Sequence, residues 1–96
     1  MITDCIFCTI IAGHAPATII SESQDIVVIQ DILPKAPIHY LIIPKKHFKD
    51  LSDLNDCCLA SGMVQVAQDL AEKIEGAKEY RLVINNGYKA GQRVFH

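Results

Sequence analysis

Several classes of protein are excluded by what this chain lacks. It has almost no net charge: nine basic residues stand against eleven acidic ones, a balance of −2. A field that weak does not support nucleic-acid binding by charge alone. No apolar run approaches the ~18 residues that a membrane span requires; Ile26–Ile29 and Tyr40–Ile43 are typical. No Lys or Arg precedes Lys35, so the basic start of a secretory signal is missing. The expectation is a cytoplasmic protein with neither nucleic acid nor membrane as partner. Internal repeats, low-complexity tracts and linkers are absent as well. Charged residues make up 21% and hydrophobic ones 50%, a composition that forms a core and argues against disorder. The 96 residues fit a single domain spanning 1–96. A domain of that size buries only roughly 60–65% of its unfolded surface, so its stability margin is thin.

Cysteine is also too sparse, and too clustered, for a disulfide scaffold. The four residues form two local pairs. Cys57 and Cys58 are adjacent and read as small packing residues on a helix. Cys5-Ile6-Phe7-Cys8 has the spacing of a zinc half-site or a redox pair. A redox pair needs a preceding strand, and only four residues precede Cys5, so zinc is the better functional reading.

The hydrophobic pattern gives the elements. Residues 4–12 read as a short helix with Asp4 as N-cap and Gly13 as stop. Thr18-Ile19-Ile20 is extended. The β-branched run Ile26-Val27-Val28-Ile29 reads as a strand buried on both faces. Pro34 and Pro37 mark a loop before the strand His39–Ile43, which Pro44 stops. From Asp53 to Glu75, the residues Leu59, Met63, Val66, Ala67, Leu70 and Ile74 share one helical face. Ser52, Asp53 or Asn55 is the candidate cap, and Gly76 the stop. Tyr80–Ile84 reads as a further strand, and Val94-Phe95-His96 as the opening of another. This order predicts an α+β fold with a mainly antiparallel sheet of about five strands, a long helix and a short N-terminal helix.

Four histidines complete the chemically versatile residues. His14 sits in a polar loop and reads as solvated. His39 opens a strand, where packing or a hydrogen bond explains it. His47 follows Pro44-Lys45-Lys46, and His96 has a β-like context. Cys5, Cys8, His47 and His96 would make a Cys2His2 tetrahedral set, although spacing alone does not select those two histidines. Asp31, at a strand end, either caps a turn or accepts two ribose hydroxyls. Asn85–Arg93 is either an ordinary hairpin loop or a source of amides for a phosphate.

Taken together, these segments resemble the histidine triad (HIT) family of nucleotide-binding hydrolases. Cys5-Ile6-Phe7-Cys8-x-Ile10-Ile11-Ala12-Gly13 is similar to the family's N-terminal segment. Asp31-Ile32-x-Pro34-x-Ala36-Pro37-x-His39 and Ile42-Ile43-Pro44-Lys45-Lys46-His47 are similar to its central hairpin. Asn85-Asn86-Gly87 and Gly91-Gln92-x-Val94-x-His96 are similar to the approach to its signature, three alternating histidines on one strand.

The resemblance implies a purine nucleotide ligand of AMP or GMP type. Phe7, Ile29 and Ile32 would be apolar walls of the purine pocket, and Asp31 the acceptor of the ribose hydroxyls. Asn85, Gly91 and Gln92 would line the phosphate end, and His39 would sit close to the histidine strand. It also selects Cys5, Cys8, His47 and His96 as ligands of a structural zinc. His96 matches the first triad histidine, in a supporting catalytic role. The family's nucleophile, the middle histidine, has no counterpart here. The domain is therefore expected to be C-terminally incomplete, with its last strand cut short.

For the full-length protein the resemblance implies a nucleotide hydrolase of phosphoramidase type and a homodimer. An imidazole nitrogen attacks the α-phosphorus and displaces the leaving group to form a nucleotidyl-histidine, and water then releases the nucleoside monophosphate. No metal is required for that chemistry. The 96 residues as written are expected to be inactive. The alternative is a catalytically inactive, zinc-stabilised nucleotide-binding or interaction module.

Overall fold

The computed structural model describes residues 5–96. Its elements run α1 (Ile6–Ile11), β1 (Ile19–Glu22), β2 (Ile26–Gln30), β3 (Tyr40–Pro44) and α2 (Cys57–Lys73). Short 3-10 turns lie at Leu51–Asp53 and Tyr88–Ala90. The strands form an antiparallel sheet in the order β1-β2-β3. A bulge between Ile19 and Ser21 shifts the β1 register.

Strand β2 explains the architecture. Alternation sends Val27 and Ile29 to one face and Ile26 and Val28 to the other. Val27 and Ile29 pack with Ile43, and Phe7, Ile10 and Ile11 of α1 cover them together with Ala17 and Leu41. Helix α2 lies against β3 and covers the other face. A Cβ built on Gly62 of α2 would stand 3.6 Å from the Ile26 side chain. All four residues from Ile26 to Ile29 are therefore buried, Val28 to 1% exposure. An unbroken apolar run is what a strand covered on both sides requires.

The helices begin where side chains satisfy their first free N–H groups. In α2 the cap is Asp56, whose side chain accepts from the Leu59 N–H. Ser52, Asp53 and Asn55 are not the cap; Ser52 and Asp53 belong to a separate 3-10 turn, Leu51–Asp53, capped by Asp50. Helix α1 is capped by Cys5, whose sulfur accepts from the Cys8 N–H. The expected cap Asp4 lies outside the described residues. Gly13 and Gly76 follow the helix ends with φ of +80° and +83°, a conformation that favours glycine.

Four further expectations are corrected. The described residues form three strands rather than about five. Tyr80–Ile84 carries no strand pairing among the described residues, and Leu82, Val83 and Ile84 are exposed. Val94–His96 is likewise outside the sheet. The physical reason is the absence, among the described residues, of a neighbouring strand to complete either ladder. Cys57 and Cys58 are exposed rather than packed, because they occupy the first turn of α2, ahead of its sheet-facing stretch.

Candidate functional site

Two constellations lie at opposite ends of β3. At its C-terminal end, Cys5 and Cys8 from the start of α1 meet His47 and His96. All four ligand atoms lie within 4.8 Å of one another. His47 Nδ1 is 3.1 Å from His96 Nδ1 and 3.3 Å from Cys8 Sγ. His96 Nδ1 is 3.3 Å from Cys5 Sγ and 3.5 Å from Cys8 Sγ. Zinc bonds of the usual lengths give tetrahedral ligand–ligand edges of roughly 3.3–3.8 Å. The observed spacing thus fits a small tetrahedral cation.

The second ring nitrogen of His96 strengthens that fit. Nε2 is 2.7 Å from the Pro44 carbonyl. A carbonyl only accepts, so Nε2 carries the proton and Nδ1 turns a lone pair toward the two sulfurs and His47. Burial holds the pKa of His96 below its usual value of 6.5; the Pro44 bond opposes this and neighbouring His47 adds to it. The neutral imidazole, the form that ligates a metal, is thereby favoured. Phe7 meets His96 edge-on at 5.8 Å. These four residues are able to hold a metal ion, joining α1, the end of β3 and residue 96.

At the other end, Asp31 and His39 close the β2–β3 hairpin. The Asp31 N–H donates to the His39 carbonyl at 3.0 Å. Extending the register by one residue beyond the Gln30–Tyr40 pair sets them opposite each other, on the face of Val27 and Ile29. Asp31 Oδ2 is 3.3 Å from His39 Nε2, and Oδ1 accepts from the Leu33 N–H at 2.9 Å. His39 Nδ1 accepts from the Lys35 N–H at 2.9 Å.

The other candidate residues are more dispersed. Phe7 covers the sheet face, whereas Ile29 is sealed within that face. Ile32 stands in solvent at 88% exposure. In the loop before His96, the buried Gln92 amide donates to the Lys49 and Val94 carbonyls and accepts from the Gly87 N–H. The Asn85 side chain lies against Gly91, where an added Cβ would stand 3.3 Å from Asn85 Nδ2. Gly91 has φ +109°, a further reason for glycine at that position. Arg93 stacks on Tyr88 at 4.3 Å and donates to the Tyr88 and Gln92 carbonyls. His14 is exposed. The loop thus uses its polar groups chiefly to hold its own shape. Sequence reasoning missed two positioning groups, the Lys35 N–H and the Pro44 carbonyl. Both are backbone atoms and leave no signal in residue identity.

The comparisons with known proteins agree with this geometry. Residues 4–96 match the family model described as scavenger mRNA decapping enzyme C-term binding. A HIT-like protein of Chlamydia muridarum is 42% identical over 93 residues, covering 95% of this chain and 74% of that protein. The chain belongs to the histidine triad family. Among solved HIT structures, a HIT family hydrolase from Legionella pneumophila superposes with TM-score 0.90 at 43% identity, covering 97% of this chain and 86% of that one. A zinc-bound histidine triad family protein from Mycobacterium smegmatis has TM-score 0.87 at 38% identity, covering 97% of this chain and 69% of that one.

Proposed function

We propose that this HIT protein binds a purine nucleotide of AMP or GMP type and carries a structural zinc. One observation carries the nucleotide reading. A fixed carboxylate, Asp31, held by His39 and the Leu33 N–H at the end of the β2–β3 hairpin, offers an acceptor for sugar hydroxyls. In the full-length protein the reaction is hydrolysis of a nucleoside phosphoramidate or related nucleotidyl phosphate. Asn85, Gly91 and Gln92 lie near the phosphate end, and His96 supports the nucleophile.

The zinc reading rests on the donor set and on His96, whose proton is already committed to Pro44. Cys5, Cys8, His47 and His96 would fill all four positions, leaving none for water. Such a metal pins α1 to the sheet and supplies no step of the chemistry. The sparse cysteines, grouped in two local pairs, support a reducing, cytoplasmic setting. Among the described residues, no helix is long and apolar enough to cross a membrane. The exposed Leu82, Val83 and Ile84 support a packed neighbour and, with the family resemblance, a homodimer, which sedimentation at graded concentration tests.

Calorimetric titration of the zinc-loaded chain with AMP tests the central reading. Saturable binding that Asp31→Ala weakens at least tenfold is expected. The absence of any heat of binding from a folded sample would sink it.

A further inference from the structure

We propose that His39 is a positioning residue that sets Asp31 to recognise a vicinal cis-diol, and so selects ribonucleotides over 2′-deoxyribonucleotides. The inference rests on the nucleotide reading above. The geometry fixes the tautomer first. The Lys35 N–H donates to His39 Nδ1, so Nδ1 bears a lone pair and the proton of the neutral ring is on Nε2. That proton faces Asp31 Oδ2, while the Leu33 N–H holds Oδ1.

An ionised carboxylate has about four acceptor positions, two on each oxygen. One position on Oδ1 goes to Leu33 and one on Oδ2 to His39. Each oxygen therefore keeps one open position, and the carboxylate is fixed from both sides. Two open acceptors on two neighbouring oxygens match two hydroxyls on adjacent carbons. A sugar without the 2′-hydroxyl leaves one of them unmatched. Lys45 is engaged by Glu22, and the cation–π contacts of Lys46 and Arg93 are with Phe48 and Tyr88. With His39 removed, Asp31 keeps its single tether to Leu33 and turns more freely about its side-chain bonds. It then accepts whichever hydroxyl is present, and the discrimination between sugars declines.

The test is calorimetric titration of the wild-type chain, His39→Phe and His39→Gln with AMP and 2′-deoxy-AMP, together with the ring 15N spectrum of the ligand-free protein. Wild type is expected to prefer AMP by about tenfold, the worth of one hydrogen bond to a charged group. His39→Phe should bind both nucleotides with a preference near unity, and His39→Gln, whose amide N–H can donate to Asp31, should recover most of it. The 15N spectrum should show His39 protonated at Nε2. Equal binding of both nucleotides by wild type, preference retained in His39→Phe, or a His39 protonated at Nδ1 would overturn this inference and leave the nucleotide reading standing. Failure of wild type to bind either nucleotide would overturn both.

Discussion

Ile26–Ile29 and Leu82–Ile84 are chemically alike and end in opposite surroundings. Both are short β-branched or aliphatic runs bounded by polar residues. The first is pressed between α1 and α2 and hydrogen-bonded to strands on both sides, and Val28 is 1% exposed. The second has no strand partner among the described residues, and Val83 and Ile84 are 63% and 67% exposed. Side-chain type states what a segment would bury; neighbours decide whether it does. Intrinsic strand preference is a fit to a half-buried surface, and it carries little weight where that surface is missing.

The sharpest way to break this comparison is to place the same charge in each run. Val28→Asp buries an unpaired carboxylate and is expected to cost about 4 kcal/mol or more, enough to unfold much of so small a domain. Urea unfolding followed by circular dichroism measures it, and a loss below about 1 kcal/mol would contradict the packing described. The metal cluster gives the next largest effect. With free zinc at about 100 times its dissociation constant, the folded state gains about 2.7 kcal/mol. A chelator, or Cys8→Ser, should remove that gain in thermal unfolding without altering β2.

Acidification acts on the same cluster in the metal-free chain. The folded state holds the His96 pKa below 6.5, so the unfolded chain takes up the proton first. Stability is therefore fully present above about pH 6.5 and declines as pH falls through the lower folded value. His96→Phe should flatten that slope in pH-dependent urea melts. Asp56→Ala, which strips the α2 cap on the far face, should cost about 1 kcal/mol, read by the same melts. Smallest of all, Val83→Asp should change stability by less than about 0.5 kcal/mol, and amides of Leu82–Ile84 should exchange with solvent long before those of Val27–Ile29. Slow exchange at Leu82–Ile84 would mean that a partner covers them.

Legibility followed range. The twofold-covered β2, the sheet-facing stripe of α2 and the C-x-x-C pair are local patterns and could be read directly. The α2 cap lies one to four residues beyond the expected candidates, because several acceptors precede the helix and a 3-10 turn takes up the farther ones, Ser52 and Asp53. His47 and His96 lie 39 and 88 residues from Cys8, and no spacing rule connects them. Only the family resemblance selected them. Tyr80–Ile84 has the residues of a strand, and what it lacks among the described residues is a tertiary neighbour.

Strand β3 also acts as a gauge. His39 stands immediately before it, and Pro44, whose carbonyl holds His96, ends it. Five residues at ~3.4 Å each set a span of roughly 17 Å between the hairpin pair and the sulfur cluster. Because side chains alternate, inserting or deleting one residue between Tyr40 and Pro44 would turn one end to the wrong face whenever the other stayed in register. The strand's length is thus a tolerance shared by two chemistries that never touch.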